Sequence, residues 1–275
     1  MIPVAFEYER VDSAAAALAL LAEHGDEAKL LAGGHSLLPM MKLRLAYPSV
    51  LIDIGRITDL NYVRDAGDHI AIGALTKHRA IEIHPLVKEH APLLAHATSQ
   101  VGDPQVRHRG TIGGSLAHAD AAADHPATLL AVGGSVVVNG PAGERVIAGT
   151  DLFTGFLESS IAETEMITEI RIPKHTGKGW SFQKFNRRAQ DWATVGVSAQ
   201  QINGVAQVAL VNMHTTPIRA AAVEEALASG ASAADAAEQA HIGMEPSSDL
   251  NASVEFRQHL SRVLVKRALN EAGIA

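Results

Sequence analysis

Residues 29–39 read KLLAGGHSLLP, a short apolar run that meets two consecutive glycines and continues into a second apolar segment. The run predicts a strand that stops at Gly33 and Gly34. Paired glycines let the backbone approach a ligand and turn successive N–H groups inward, and Ser36 adds a hydroxyl donor. The loop therefore has the chemistry of a pyrophosphate site, although a tight strand-to-helix turn without a ligand would use the same residues. It matches neither the Gly-x-Gly-x-x-Gly pattern nor the P-loop lysine pattern.

A second glycine-rich loop, GTIGGS at residues 110–115, has the same small-residue chemistry. It comes directly before a segment from Leu116 to Ala123 that we expect to be helical, so its N–H groups would open the positive end of a helix. Two such loops, each with Ser or Thr beside a glycine pair, favour a ligand that lies between two lobes with a diphosphate in its middle.

The sequence around the first loop predicts an α/β unit. An Ala/Leu-rich helix begins after Asp12 or Ser13, either of which can be the N-cap, and ends at Gly25. A second apolar strand, residues 50–54, follows the first loop. The predicted order is therefore strand, helix, strand, helix, strand in a first lobe of residues 1–60.

A second lobe is predicted for residues 61–174, and a smaller domain begins at residue 175. The predicted elements of the second lobe are strand 69–74, helix 77–83, helix 86–97, a loop 102–114, helix 119–132, strand 135–139 and strand 166–172. After a boundary near Lys174 we expect strands 180–185, 195–201 and 205–212, with a hairpin turn at Asn203–Gly204, and then Ala-rich helices.

Composition excludes several classes of function. The 275 residues carry a formal net charge of −7 and show no basic run with interleaved aromatics, so we expect no nucleic-acid partner. No apolar stretch approaches the ~20 residues that span a bilayer, and the start MIPVAFEYER is unlike a signal peptide, so a cytoplasmic protein is expected. The absence of cysteine removes thiolate metal sites and iron–sulfur clusters, which leaves redox chemistry to a bound organic cofactor.

Three stretches of the chain resemble one known family. They are AGGHSLLPMMKLRLAYPSVLIDI (32–54), DPQVRHRGTIGGSLAHADAAADHPA (103–127) and KFNRRAQDWATVGVSA (184–199). They look like the FAD-binding medium subunits of the carbon monoxide dehydrogenase and xanthine dehydrogenase family of molybdenum hydroxylases, and the resemblance covers nearly the whole chain. It implies an α+β fold, in which a two-lobed PCMH-type FAD-binding domain (1–174) precedes a smaller domain (175–275) with a three-stranded antiparallel sheet and a helical bundle.

The resemblance also implies FAD as the cofactor of this chain and a set of residues that bind it. The glycine loops would wrap the diphosphate, Asp124 would contact the sugar region, Ile167 would lie near the adenine, and Lys184 and Trp192 near the flavin. The implied cofactor-binding residues are Ala32, Gly33, Gly34, His35, Ser36, Leu37, Thr111, Ile112, Gly113, Gly114, Ser115, Asp124, Ile167, Lys184 and Trp192.

Trp192 departs from the pattern of some relatives. Carbon monoxide enzymes of the family have a tyrosine at the matching position, and the xanthine enzymes have an aliphatic residue. A tryptophan keeps a planar neighbour for the flavin but loses a phenolic hydroxyl, so the flavin potential could differ. The alternative is an ordinary core or interface tryptophan.

The function implied by the resemblance is electron transfer within a larger oxidoreductase. A large molybdenum subunit would oxidise the substrate, a small subunit would relay electrons through iron–sulfur clusters, and the FAD on this chain would pass them to an external acceptor. The complex would be a dimer of heterotrimers, in the cytoplasm or held peripherally at the inner face of the membrane. Carbon monoxide is the first substrate expected, and an aldehyde or an N-heterocycle is the alternative.

A free-standing flavin oxidase, or a ligand-binding module with the same fold, is the second class of function. It would need substrate chemistry on this chain, but no Ser/His/Asp arrangement and no acid–base pair can be named, so no catalytic residue is assigned. The two His and two Asp of HADAAADH (118–125) have metal-ligand chemistry, but on one helix they divide between two faces. Carboxylates near a helix N-terminus explain them more simply, and no metal site is expected.

The remaining polar residues near the loops have two explanations each. His35 can hydrogen-bond the cofactor or pack beside it. The basic residues 107–109 and 187–188 fit a solvated turn or a subunit contact better than the steering of an anion.

Overall fold

The first lobe is a small α/β unit. The computed structural model of the chain describes residues 2–177 and 179–274. The elements of the first lobe are β1 (Glu7–Arg10), α1 (Ala14–His24), β2 (Ala28–Leu31), α2 (Leu37–Leu43) and β3 (Val50–Asp53). The strands pair in parallel in the order β1-β3-β2, which confirms the predicted alternation. Ser13 accepts a hydrogen bond as the N-cap of α1 and Gly25 ends the helix, as the sequence predicts.

The second lobe is built on an antiparallel five-stranded sheet. Its elements are β4 (Val63–Asp65), β5 (His69–Gly73), α3 (His78–Ile83), α4 (Pro85–His90), α5 (Pro92–Ser99), α6 (Pro104–Arg109), α7 (Ile112–His118), α8 (Asp124–Ala131), β6 (Ser135–Gly140), β7 (Gly143–Ala148), α9 (Gly149–Leu152), β8 (Phe153–Gly155), β9 (Glu158–Ser159) and β10 (Met166–Pro173). The strand order β4-β5-β10-β6-β7 places β10 at the centre. Ile70, Ile72 and Ile170 of this sheet are buried with the apolar side chains of α5 and α8.

The C-terminal domain combines a small antiparallel sheet with helices. Its elements are β11 (Trp180–Phe185), β12 (Val195–Ile202), β13 (Val205–Val211), β14 (Ile218–Arg219), α10 (Ala221–Ala228), α11 (Ala233–Ala237) and α12 (Val254–Ala272). The three predicted strands are present, and the two-residue β14 adds a fourth. The hairpin turn is also confirmed: Asn203 and Gly204 have φ values of +50° and +81°, as a type I′ turn requires.

Both faces of this C-terminal sheet are buried. Val195, Val197 and Ala199 of β12 pack in one core with the apolar side chains of α12. On the opposite face Phe182 of β11 is part of the core of the second lobe. The C-terminal domain and the second lobe therefore share a core. No helix within residues 2–177 and 179–274 is both long enough and apolar enough to cross a membrane.

The predicted loop 102–114 is partly helical, which corrects the sequence prediction. Pro104 occupies the first turn of α6, and the side chain of Asp103 caps the helix by accepting a hydrogen bond from the N–H of Val106. The next helix, α7, begins inside the predicted loop, with Thr111 as its N-cap.

Two further helices differ from the prediction. α7 ends at His118, because the next residue, Ala119, has a left-handed φ of +54°. The predicted helix 119–132 therefore shortens to α8, and the predicted helical segment 116–123 is wrong beyond His118. The histidines and aspartates of HADAAADH therefore do not lie on one helix. The predicted helix 86–97 is broken at Ala91, because Pro92 cannot donate to the preceding turn and instead starts α5.

Candidate functional site

The two glycine-rich loops lie against each other where the two lobes meet. A Cβ atom on Gly33 would lie 2.6 Å from the carbonyl oxygen of Arg109 and 2.8 Å from the Cα of Gly110. A Cβ atom on Gly114 would lie 4.0 Å from the Cβ of Ala32. The structure thus brings together the two loops that the sequence predicts to flank one ligand.

The first loop presents a row of backbone donors. Among the residues that the structure describes, none accepts a hydrogen bond from the N–H groups of residues 33–37. Gly34 turns the chain with a φ of +76°, and the next helix begins with the bond from the Leu38 N–H to the Gly34 carbonyl oxygen, at 3.2 Å. Consecutive N–H groups in such a turn form a concave site for anions.

The second loop does not present its N–H groups, and the prediction of an open helix end there is wrong. The N–H groups of Ile112 and Gly113 donate to carbonyl oxygens just after β5, at 3.2 and 2.9 Å. The N–H of Gly114 donates to Oγ1 of Thr111 at 3.2 Å. What this loop offers is close approach, because Gly114 is exposed and has no side chain.

Cationic side chains line the cleft beside the first loop. The cleft has a volume of about 250 Å³, and Arg56, Lys77 and Arg109 lie on its wall with Gly33 and Gly34. The pKa of Lys77 is lowered, first by burial and then by the positive charge of Arg109. The negative charge of Asp53, on the same cleft, only partly opposes these two effects, and a bound polyanion would oppose them further. Sequence patterns did not identify Arg56 or Lys77, since each is a single basic residue at the end of a different element.

A buried ion pair forms another part of the site. The Nζ of Lys184, on β11, lies 2.8 Å from Oδ2 of Asp124 at the start of α8, and the two side chains are only 6% and 5% exposed. Lys184 also donates to the carbonyl oxygen of Gln100 at 2.9 Å. Burial raises the pKa of Asp124 to about 6 in spite of the opposing effect of Lys184.

The second carboxylate oxygen of Asp124 is an acceptor without a donor. Oδ1 is buried and has no hydrogen-bond partner among the described residues. Leaving a buried acceptor unpaired costs about 1–3 kcal/mol, so such an atom in a native structure has a reason. A single ligand hydroxyl that donates to Oδ1 would remove this cost, so the structure fits a hydroxyl donor at Asp124.

Two stacked histidines lie beside the second loop, and sequence analysis did not find this contact. The ring centroids of His78 and His125 are 4.5 Å apart with an angle of 28° between the rings. Burial lowers the pKa of His78 well below its usual value and that of His125 to about 4, so both rings are neutral at pH 7. A Cβ atom on Gly110 would lie 2.6 Å from the His78 ring, so this ring supports the loop directly.

The residues predicted to lie near the adenine and the flavin differ in exposure. Ile167 is 6% exposed and packs in the core of the second lobe, on β10. Trp192 is 66% exposed, in the segment 186–194 between β11 and β12, so the alternative of a core tryptophan is wrong. An exposed tryptophan is available to a flavin or to a partner chain.

The other polar residues considered from sequence have mostly structural contacts. Arg107 lies in α6, is only 13% exposed and pairs with Glu82 at 3.0 Å, so the expected solvated turn is wrong for this residue. Arg109 lines the cleft beside the first loop, which favours contact with an anion over the expected solvated turn. Arg188 is exposed and pairs with Asp191 at 2.8 Å, as expected for a solvated turn. His35 is exposed on the first loop. Within residues 2–177 and 179–274 no three His, Cys, Asp or Glu side chains form a group that could hold a metal ion.

Comparison with known proteins identifies the family. A model described as the FAD binding domain in molybdopterin dehydrogenase matches residues 4–175, and one for the CO dehydrogenase flavoprotein C-terminal domain matches residues 180–272. The carbon monoxide dehydrogenase medium chain of Hydrogenophaga pseudoflava is 42% identical over 99% of this chain and 98% of its own length. The 6-hydroxypseudooxynicotine dehydrogenase complex subunit alpha of Paenarthrobacter nicotinovorans is 38% identical over 99% and 96%.

Solved structures give the same answer. The structure of carbon monoxide dehydrogenase from Hydrogenophaga pseudoflava that lacks the Mo-pyranopterin moiety matches with a TM-score of 0.95 and 42% identity, over 99% of both chains. Quinoline 2-oxidoreductase from Pseudomonas putida 86 matches with a TM-score of 0.91 and 30% identity, over 99% of this chain and 98% of that chain. The two family models, the full-length relatives and the fold agree, and the chain belongs to the family of FAD-binding medium subunits of molybdenum hydroxylases.

Proposed function

We propose that this chain is the electron-transferring FAD subunit of a molybdenum hydroxylase complex of the carbon monoxide dehydrogenase type. The observation that carries the proposal is the arrangement of the two glycine loops and the buried Asp124–Lys184 pair, which together suit the diphosphate and the hydroxyl groups of one dinucleotide. The family membership supports FAD as that dinucleotide.

Different groups of residues bind the diphosphate and the sugar of the ligand. The N–H groups of residues 33–37 and the cations Arg56, Lys77 and Arg109 bind the diphosphate, and the loop 111–115 lets it approach closely. Asp124 Oδ1 accepts a hydrogen bond from a sugar hydroxyl. The residues proposed to contact FAD are Ala32, Gly33, Gly34, His35, Ser36, Leu37, Arg56, Lys77, Arg109, Thr111, Ile112, Gly113, Gly114, Ser115, Asp124, Ile167, Lys184 and Trp192.

The flavin end of the site lies between the two proposed domains, 1–174 and 175–275. Asp124 belongs to the first domain, whereas Lys184 and Trp192 belong to the second. The flavin, when bound, supplies the capacity to accept electrons singly and to release them in pairs. The Nζ of Lys184 lies beside Asp124, and Trp192 presents an exposed planar ring. These two residues orient the flavin and determine the polarity of its surroundings.

The proposed partners are inferred from the absence of cysteine in this chain, and the proposed substrate is inferred from its relatives. The sequence has no cysteine, so iron–sulfur clusters must be on another chain, and we propose a small iron–sulfur subunit and a large molybdenum subunit in a cytoplasmic dimer of heterotrimers. The proposed substrate of the complex is carbon monoxide, on the strength of the 42% identical relative. An N-heterocycle or an aldehyde is the alternative, since relatives named for such substrates are 38% and 34% identical.

The test is to purify the complex from a host that expresses this chain with its neighbouring subunit genes. We expect one FAD per copy of the chain, released by denaturation and identified by mass. Carbon monoxide should reduce first the molybdenum centre and then the flavin in stopped-flow spectra. Recovery of FMN, or of a complex that takes up no flavin, would refute the proposed cofactor. Reduction of the complex by an N-heterocycle and not by carbon monoxide would leave the flavin role intact and change the substrate.

A further inference from the structure

The segment 186–194, which carries Trp192, has no regular secondary structure and is anchored close to its C-terminal end. The N–H of Thr194 donates to the carbonyl oxygen of Phe185 at 2.7 Å and closes the segment at its base. Arg257 of α12, only 1% exposed, donates to the carbonyl oxygen of Thr194. These contacts fix residue 194, two residues beyond the tryptophan.

Within the segment, the N–H of Trp192 donates to Oδ1 of Asp191 at 2.9 Å, and Asn212 adds a hydrogen bond from outside the segment at the next residue, Ala193. The Nδ2 of Asn212 donates to the carbonyl oxygen of Ala193 at 2.8 Å. Ala193 is 1% exposed, so its carbonyl oxygen needs a donor from the protein. The backbone N–H of the same asparagine donates to the carbonyl oxygen of Ala121 at 2.7 Å. Ala121 lies in the segment between α7 and α8, three residues before Asp124.

One residue thus joins the two segments that carry opposite parts of the site. The left-handed turn after β13 favours glycine or asparagine at this position. Asn212 has a φ of +60°, a conformation that glycine would adopt at lower cost. What glycine would lack is the side-chain amide, and that amide is bonded to the segment of Trp192.

We propose that Asn212 is a positioning residue that sets the place of Trp192 relative to Asp124 and thereby tunes the bound flavin. This inference rests on the proposed function, because it takes Trp192 as a neighbour of the flavin. Among the described residues, the hydrogen bonds of the Asn212 side chain and N–H go to Ala193 and Ala121, and neither goes to Trp192 or to Asp124. The effect of Asn212 is transmitted through the backbone at Ala193.

Two substitutions separate the side-chain amide from the backbone turn. Asn212→Gly keeps the left-handed turn and the bond to Ala121 but removes the bond to Ala193. Asn212→Asp keeps the size of the side chain, but a carboxylate oxygen then faces the Ala193 carbonyl oxygen at the distance of the former hydrogen bond, which is repulsive. The matched control is Asn203→Gly. Asn203 stands at the other end of β13 with a φ of +50°, is exposed, and makes no side-chain hydrogen bond to a described residue.

The measurements are made on the assembled complex. We expect both Asn212 variants to retain FAD and the rate of molybdenum reduction by substrate, and to shift the flavin reduction potential. The rate of flavin reoxidation should change by about fivefold, the population change that one neutral hydrogen bond ordinarily controls. Asn203→Gly should match the wild type. In a Trp192→Ala background the Asn212→Asp change should have little further effect, because the two substitutions act through one contact.

Different results separate this inference from the proposed function. A wild-type complex without FAD would refute the proposed function before any variant is compared. If FAD is present and Trp192→Ala alters the flavin, unchanged potential and reoxidation in both Asn212 variants would overturn the positioning role alone. Additive effects of Trp192→Ala and Asn212→Asp would overturn it as well, since they would show that Asn212 acts by another route.

Discussion

Individual glycines of the two loops differ in what surrounds them. A Cβ atom on Gly113 would lie 2.7 Å from both the Cβ and the carbonyl oxygen of Ala74, so this glycine is required for close packing between α7 and the end of β5. Gly33 is required in the same way by the backbone of Arg109. Around Gly114 the nearest atom is the small hydroxyl of Thr111 at 2.9 Å, and the next is 4.0 Å away. Substitutions at these positions therefore test different properties.

Gly114→Ala should weaken FAD binding without unfolding the protein. Alanine is favoured over glycine inside a helix by up to ~1 kcal/mol, but its Cβ would lie 2.9 Å from the N-cap hydroxyl of Thr111, and displacing a cap costs about as much, so the melting temperature should change little. The added methyl group faces the side on which Ala32 lies, and we expect the affinity for FAD to fall by about tenfold, or ~1.4 kcal/mol. Equilibrium titration of flavin absorbance and thermal unfolding measure the two effects separately.

Gly113→Ala is the comparison variant for this prediction. Because its methyl group meets the backbone of Ala74, stability and FAD binding should be lost together. If Gly114→Ala binds FAD with wild-type affinity, the diphosphate does not lie over the start of α7, and the role proposed for the second loop has to be withdrawn.

Trp192→Ala should affect the flavin more than the fold. The side chain is 66% exposed, so its removal should change the free energy of unfolding little. Loss of stacking should weaken FAD binding by ~1 kcal/mol and shift the flavin potential and the reoxidation rate. The other tryptophan, Trp180, lies 5.7 Å from the His96 ring, and Trp180→Phe should leave the flavin unchanged. Wild-type flavin properties in Trp192→Ala would show that this ring is remote from the cofactor.

At the scale of helices and strands, the sequence predicted those elements whose ends carry local chemical signals. The helix between Ser13 and Gly25 has a capping side chain and a terminal glycine, and the turn Asn203–Gly204 needs left-handed residues that its own sequence supplies. α6 was missed because it is six residues long and opens with Pro104 in a charged stretch typical of a loop. The end of α7 was missed because Ala119, a strong helix former, adopts a left-handed conformation under tertiary packing.

The candidate site was predictable to the extent that it is local. The glycine loops are contiguous patterns, and the family resemblance indicated Asp124 and Lys184, but no pattern in the sequence brings the latter two within 2.8 Å. Lys77 and Arg56 stand on different segments, and only tertiary packing places them on one cleft. The prediction that the second loop presents free N–H groups was also wrong because of tertiary packing. Its N–H groups donate to carbonyl oxygens of a segment more than 30 residues earlier in the chain.

The first turn of α8 contains two buried groups whose contributions to the free energy of unfolding change with pH in opposite directions. The pKa of Asp124 is raised to about 6, so its contribution to the free energy of unfolding is full below 3.8 and is lost as the pH rises through 6. The pKa of His125 is lowered to about 4, so its contribution is full above 6.5 and is lost as the pH falls through 4. Between pH 4 and 6.5 the two contributions therefore run in opposite directions.

Substitution should separate these two contributions. Asp124→Asn should make the free energy of unfolding rise more steeply with pH across that window, by on the order of 2–3 kcal/mol. The substitution also leaves Lys184 without its partner, but this loss lowers the whole curve and does not remove the change in slope. His125→Gln should flatten the rise, and the remaining rise is expected from His78, whose pKa is lowered in the same direction. Denaturant unfolding at a series of pH values measures the slopes, and parallel slopes in wild type and Asp124→Asn would contradict the raised pKa.

At the scale of the whole molecule, the predicted domain boundary near Lys174 separates two sequence patterns, but the hydrophobic core continues across it. Phe182 and Val211 of the C-terminal sheet belong to the core of the second lobe, and Thr128 and Ser198 form a hydrogen bond of 3.0 Å between the two units. This contact was not predictable from the sequence of β12. A serine such as Ser198 in a strand usually indicates a face exposed to solvent, whereas here that face packs against α8. The C-terminal domain thus packs directly on α8, the helix that begins at Asp124 of the proposed FAD site.

Packing between the two units, and not the covalent link between them, should keep the flavin site intact. We expect a chain with a protease site inserted after Thr176 to keep FAD after complete cleavage, with a melting temperature lowered by only a few degrees, because the shared core and the Lys184–Asp124 pair remain. The fragment 1–174 alone should expose apolar surface and bind no FAD, since it leaves the Asp124 carboxylate without its cation. Gel filtration, dye binding and flavin absorbance compare the cleaved chain, the fragment and the intact chain. If the fragment 1–174 binds FAD as tightly as the intact chain, the C-terminal domain is not part of the site, and the roles proposed for Lys184 and Trp192 are wrong.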